Sequence, residues 1–491
     1  MSKDVVFELI KSMSQAEKRY FKRYATLHSE NRTNKYVRLF ELLGKQKKYD
    51  RVALEGILRP THFAQDKRHL YTKILESLAA FGRGGSINDQ IGTMVSYHTI
   101  LRQKGIQPFA AKELTRAKNL ASASEKYHDL IKISQLETSM YRDETDLESL
   151  EDHLRERAGI LSTAAKAMEL DIQFELEYLN MVKWNKEIEV VRTVQESNAL
   201  KQIIGKSIFD LEESVLSSKS RIYRRYILGL FYFFQNNLTR SGQEFEKQLD
   251  IFAEFPHNIE TNPMMYLRSL GNKCLMNAKR RRKGSFEEGM LAIQLFDPPT
   301  AHGKTYKLYL MYMLKLMSLV EEKNYSGAVA HIEARENSNV EAPNIHSTWY
   351  IEWMYVCFNS ASAYIGIEDY KQALRFINEF LNKADPRLKQ DTYCIARVIN
   401  LLLHFELDNR DLLEYQLEST QRYLKSRKRL FKFEKAVLQF IRDSLNLPPE
   451  DPNTHLFQWL KRELIKIQQT PLEKNVFAYF NFMPWLERKV D

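Results

Sequence analysis

Gly205-Lys206-Ser207 is the one triplet in this sequence that invites phosphate chemistry, because a glycine-rich loop ending in Gly-Lys-Ser lets backbone N–H groups and a lysine cradle a phosphate chain. The pattern also needs a glycine five residues earlier, and Leu200 stands there, so the reading fails. The glycine cluster Gly82-Arg83-Gly84-Gly85-Ser86 lacks the strand-glycine-helix setting of a dinucleotide site and reads as a hinge or linker. No His-Glu-x-x-His, Cys-x-x-Cys or calcium-loop spacing occurs, and the histidines are scattered singly. Acidic pairs such as Glu148 with Asp152, or Glu212 with Glu213, fall in helix-forming stretches and read as solvated faces. The expectation is a non-catalytic chain without cofactor or metal.

The remaining candidate chemistry is electrostatic. Lys279-Arg280-Arg281-Arg282-Lys283 is a run of five cations placed to meet phosphate or an acidic partner. A second group, Lys425, Arg427, Lys428, Arg429 and Lys432, sits on a basic amphipathic helix. The chain carries +10 overall, yet residues 1–120 hold 23 Lys/Arg against 11 Asp/Glu, while 121–220 hold 12 against 20. A basic front followed by an acidic stretch means either faces that attract one another or a polyanion-binding front end. Within that front, Ser14-Gln15-Ala16-Glu17 is a capping box opening a helix with Arg19, Lys22 and Arg23, and Phe63 to Phe81 carries Lys67, Arg68 and Lys73. These helices are either a helix-turn-helix or the first hairpins of a solenoid with solvated basic faces.

The elements that must position these residues are helices. Only 17 glycines and 13 prolines occur in 491 residues, none of the prolines between Pro108 and Pro256, and that stretch is rich in the straight-chain residues that lose least entropy in a helix. Apolar residues at three- and four-residue spacing predict helices over 91–103, 108–124, 126–142 and 147–191. The longest apolar runs, 226–234 and 306–320, fall short of the roughly 20 residues of a membrane span. Cys274, Cys357 and Cys394 lie far apart in apolar surroundings, which speaks against a disulfide framework and for a reducing cytoplasm.

Several hairpins share a pattern. Ala361, Tyr364, Tyr370 and Ala373 place a small residue and an aromatic in one helix and Tyr-x-x-Ala at the start of the next, with a stop at Pro386. Gly229 and Tyr232, followed by a helix from Leu238, repeat the arrangement, as do Tyr325 and Ala328. The positions taken to open each second helix are 238, 286, 325, 370 and 412.

On these residues the segment from about 221 to 425 resembles a tetratricopeptide repeat array, whose units of about 34 residues stack so that each buries its neighbour's apolar face. The resemblance implies an all-α, right-handed superhelical solenoid of antiparallel helix hairpins, and a groove that binds a protein or peptide. It carries over no catalytic residues. The opening stretch Leu9 to Lys22 also resembles the start of uncharacterised helical-repeat proteins of Bacteroidota, which implies a bacterial cytoplasmic protein and no particular activity. The organisation expected is a basic helical segment over 1–87, long hairpins over 88–220, repeats over 221–445 and capping helices over 446–491. A protein or peptide is the expected partner of such a scaffold. Nucleic acid, through the basic front of a ribosome-associated or regulatory protein, is the alternative. Oligomeric state is open.

Overall fold

The computed structural model describes residues 4–27, 35–58, 63–82, 85–138, 147–336, 349–448 and 453–490, and among them every regular element is a helix. The chain divides into two compact units, residues 1–161 and 162–491. No helix among the described residues is long and apolar enough to cross a membrane.

The first unit begins with five helices, Val5–Ser12, Gln15–Leu27, Lys35–Lys45, Arg51–Leu58 and Phe63–Phe81, packed around a core that includes Ile10, Phe21, Leu43, Leu70 and Ile74. The expected capping box forms: Ser14 Oγ accepts from the Glu17 amide at 3.2 Å, and the Glu17 carboxylate accepts from the Ser14 amide at 2.6 Å. Helices Ile87–Gln103, Gln107–Ala123 and Tyr127–Thr138 surround a second small core built on Ile91, Leu114 and Ile133. Residues 139–142 of the expected 126–142 helix, Arg83 and Gly84 of the glycine-rich loop, and 449–452 of the expected capping segment lie outside the described residues.

The second unit is an all-helical, repeat-like array. Its paired helices are Ser218–Phe234 with Leu238–Glu254, Pro263–Lys279 with Lys283–Leu295, Ala301–Glu321 with Tyr325–Glu336, Tyr350–Gly366 with Tyr370–Lys383, and Gln390–Glu406 with Arg410–Ser426. Each pair packs together and against the next. The same turn joins the two helices of each of the five pairs. A residue in the left-handed region, with φ between 52° and 64°, stands at 236, 281, 323, 368 and 408, at intervals of 45, 42, 45 and 40 residues. The amide of the following residue donates to the carbonyl five residues back at 2.8–3.1 Å, and the left-handed residue's own amide donates three back. These are paired C-terminal caps of the Schellman type, which satisfy carbonyls the helix end would leave bare.

The residue after the cap then starts the next helix. Asn237, Asn324 and Asp369 each accept, on the side chain, from the amide three residues on. Arg282 has no such oxygen, and its helix starts at Lys283, three residues before the 286 expected from sequence; the last pair's second helix starts at Arg410 rather than 412. The cause is local, because the left-handed cap fixes the start independently of where the first apolar residue falls.

Small residues set how closely helices approach. A Cβ on Gly229 would lie 2.7 Å from the Phe245 ring, and Ser241 Oγ donates to the Gly229 carbonyl at 2.8 Å. Ala328, Ala361 and Ala373 are fully buried, and Tyr364 stacks on Phe376 with centroids 5.8 Å apart. Tyr325 lies flat against Gly366 of the following pair, where a Cβ would come 2.1 Å from the ring.

Candidate functional site

Two segments outside the paired helices bind the array together. The stretch after helix Leu147–Glu187 runs beneath several pairs: the Val191 amide donates to the Phe234 carbonyl, and Lys389, fully buried, donates to the Ile188 carbonyl at 3.0 Å and pairs with Glu189 at 2.6 Å. Tyr355 also donates to Glu189. The C-terminal stretch, a 3-10 helix Glu473–Ala478 and a helix Met483–Val490, was expected to cover an exposed end. It reaches further back. Asn475 bonds Val191 and Asn236, Tyr479 bonds Asp391, Trp485 donates to Glu406 at 2.6 Å, and Arg488 donates to the Ile365 carbonyl at 2.9 Å.

Buried ions tie these two segments together. Arg192 makes a bidentate pair with Glu434, at 2.5 and 3.2 Å, and reaches Glu473 at 3.5 Å; both partners in the main pair are essentially inaccessible. Arg429 bridges Glu196 at 2.5 Å and Asp391 at 2.7 Å. Burial pushes the Asp391 carboxyl up to about 6, against the pull of Arg429, with Glu196 adding to the rise. This cluster staples the fold, since each charge faces a counter-charge and little space remains beside it.

Two cavities lie among the helices of this unit. The first, of about 290 Å³, is lined by Lys279, Arg281 and Lys323 together with Arg488, over a floor that includes Tyr325, Phe358 and Trp485. Arg281 and Lys323 occupy the same left-handed position of successive turns. Among the described residues Lys279, Arg281 and Lys323 make no ion pair, whereas Arg488 is engaged by Glu368 at 3.3 Å. Glu321 and the already engaged Glu189 share the same walls.

The second cavity, of about 600 Å³, has Arg268 and Glu352 on its walls amid Tyr178, Tyr226 and Tyr306. Tyr306 donates to Glu352 at 2.8 Å, and the Arg268 guanidinium lies 5.9 Å from the centre of the Tyr306 ring. Burial pushes the Glu352 carboxyl up and the Tyr226 hydroxyl up to about 12. Tyr355 lines both cavities. Burial likewise raises the thiols Cys274 and Cys394 to about 12 and Cys357 further, so none is a ready nucleophile.

Of the basic run singled out in sequence, Lys279 ends one helix, Arg280 to Arg282 form the turn, and Lys283 opens the next helix. The structure brings Lys279 and Arg281 to the first cavity, while Arg282 and Lys283 are exposed and Arg280 lies against the side occupied by Gly242. The second basic group does not lie on one helix as expected: Lys425 is in the last turn of helix Arg410–Ser426, Arg427 to Arg429 lie in the turn, whose left-handed residue is Lys428, and Lys432 opens helix Lys432–Leu445; Arg429 is drawn into the buried cluster and the other four are exposed. In the first unit, Lys22 pairs with Glu41, Lys73 with Glu76, and Lys67 with Asp4; Arg19 donates to the Gln15 carbonyl, and Arg23 and Arg68 are exposed without a carboxylate partner. Lys206 of the rejected phosphate-loop triplet pairs with Glu177.

Lys323, Arg268, Glu352, Arg192 and Lys389 were not singled out from sequence. Lys323 had a usable signal, since it precedes an Asn that caps a helix, as Glu368 precedes Asp369. Arg268 and Glu352 were also marked, each a lone charge in an otherwise apolar helix run. Lys389 and Arg192 sit in loops, where no periodicity marks burial.

Among the described residues, no group of three or more His, Cys, Asp or Glu comes together to hold a metal ion. No protein-family model matches the chain, and no curated protein matches it.

Proposed function

We propose that the second unit is a non-catalytic scaffold, a right-handed superhelical solenoid of antiparallel, tetratricopeptide-like hairpins, that binds an acidic protein or peptide segment. One observation carries this reading: Lys279, Arg281 and Lys323, delivered by two successive turns and unpaired with any carboxylate among the described residues, converge on a cavity with an aromatic and apolar floor. Unpaired cations beside apolar surface suit a partner whose acidic side chains flank a hydrophobic one. The chain's own residues 473–490 already lie along the helix pairs, so the partner docks at the turns beside that segment rather than along a whole empty groove.

The test is charge reversal. A Lys279→Glu, Arg281→Glu, Lys323→Glu variant should lose the partners recovered by the wild type from cells of the native host, whereas a Lys425→Glu, Arg427→Glu control should keep them. Equal recovery by all three proteins refutes the reading. Arg23 and Arg68, exposed and unpaired, support the second reading, nucleic-acid contact by the first unit; a mobility shift unaffected by reversing both would remove it.

A further inference from the structure

The larger cavity has a chemistry of its own. A guanidinium presents five N–H donors in a rigid fork, and among the described residues Arg268 makes no hydrogen bond and no ion pair; the face of Tyr306 lies beside it, and Tyr226, Tyr178 and Glu352 act on its charge from nearby. The carboxylate that shares the cavity, Glu352, is not paired with it, because Tyr306 donates to Glu352 instead. Of the other polar atoms on the walls, the Asn272 amide nitrogen faces the Tyr226 hydroxyl and the Tyr350 hydroxyl faces the Asp385 backbone, and both are out of reach of bulk water. A guanidinium that lines a largely enclosed cavity with no ion pair beside it is placed to accept an anion there. The other walls are apolar or aromatic, including Leu230, Phe233, Leu275 and Leu310. The cavity's size, about 600 Å³, lies within the roughly 300–1,000 Å³ that holds a small ligand.

From this geometry we infer that the second unit binds a small organic anion, with its oxyanion group in the fork of Arg268 and an aromatic or apolar body among Tyr226, Tyr306 and Leu310. The guanidinium fork matches carboxylate and phosphate oxygens equally well in a bidentate arrangement. This site is separate from the turn-tip cations of the proposed partner surface, and either can fail without the other.

Calorimetric titration of the full chain with 3-(4-hydroxyphenyl)propionate, with phenyl phosphate and with the uncharged amide 3-(4-hydroxyphenyl)propionamide tests it. At least one anion should bind the wild type and the amide should bind far more weakly; which anion binds tells carboxylate from phosphate recognition. Arg268→Met should weaken that anion by about 10- to 100-fold, the loss of a charge-assisted pair. Glu352→Gln keeps an acceptor for Tyr306 and removes a like charge, so it should bind as tightly as the wild type or more so. Should Arg268→Met fail to fold, Arg268→Lys retains the charge without the fork and should still weaken binding. Binding by neither anion, equal binding of the amide, or an Arg268 variant within twofold of the wild type overturns the inference.

Discussion

Replacing Arg192 with Met would unfasten the buried pair that joins the stretch around 188–196 to helix Lys432–Leu445 and to the C-terminal segment. Both side chains of the pair are inaccessible, at 1% and 0% exposure, and the contact is bidentate. Burial works against the Arg192 charge, and the Glu434 carboxylate beside it more than offsets that. Removing the arginine leaves the Glu434 carboxylate without its counter-charge in a dry site. Its remaining donor is the Phe431 amide at 3.2 Å. A broken buried pair of this kind typically costs about 3–5 kcal/mol, because one desolvated charge stays behind. Adding Glu434→Gln keeps an acceptor for Phe431 and removes the stranded charge, so the double variant should recover about half of the loss. Urea unfolding of the full chain, followed by tryptophan fluorescence, measures both. A single-variant cost below about 1 kcal/mol, or a double variant less stable than the single, would refute the view that this pair holds the segments together.

Three further outcomes follow from the same geometry. Gly366→Ala drives a methyl into the Tyr325 ring, with a closest approach of 2.1 Å before relaxation, and should cost at least about 1–3 kcal/mol in the same unfolding assay; a neutral result would mean the two pairs are not tightly packed. Lys428, exposed at φ 55°, sits in a left-handed cap, so Lys428→Gly should raise stability by about 0.5–1 kcal/mol where the same change at a right-handed helical position would lower it. Asp391 holds its proton up to about pH 6 when folded but only to about 3.8 when unfolded, so the folded state binds the extra proton between those values and Asp391's contribution declines as pH rises through them. Wild type should therefore lose about 2 kcal/mol relative to Asp391→Asn between pH 4 and pH 7, read from paired urea curves, and parallel pH profiles would show that Asp391 ionises normally.

The helical class and the paired-helix array were legible in the sequence because their signals are local. Scarce glycine and proline, three- and four-residue apolar spacing, and small residues such as Gly229 and Ala361 each report on one helix and its immediate neighbour. Turn positions were less exact because the left-handed residue is an ordinary Arg, Lys, Glu or Asp at four of five turns, with no glycine to announce it. What the sequence concealed depends on pairs far apart along the chain: Arg192 with Glu434, Lys389 with Glu189, Asn475 with Val191. Each is an unremarkable polar residue until the fold closes water away from it. The same holds for the basic run at 279–283, where charge alone marked five residues and only packing separates Lys279 and Arg281 from the three that do not line the cavity.

We propose Lys279, Arg281 and Lys323 as one cationic docking point for an acidic partner. Fluorescence anisotropy of a labelled peptide alternating Asp and Glu with Tyr and Leu, titrated with the full chain at 50 mM and 200 mM salt, tests it most directly. The account predicts saturable binding that weakens at the higher salt and falls at least about tenfold in the Lys279→Glu, Arg281→Glu, Lys323→Glu variant, with the Lys425→Glu, Arg427→Glu control unchanged. Binding that is absent, or that is the same in the triple variant and the wild type, would contradict it.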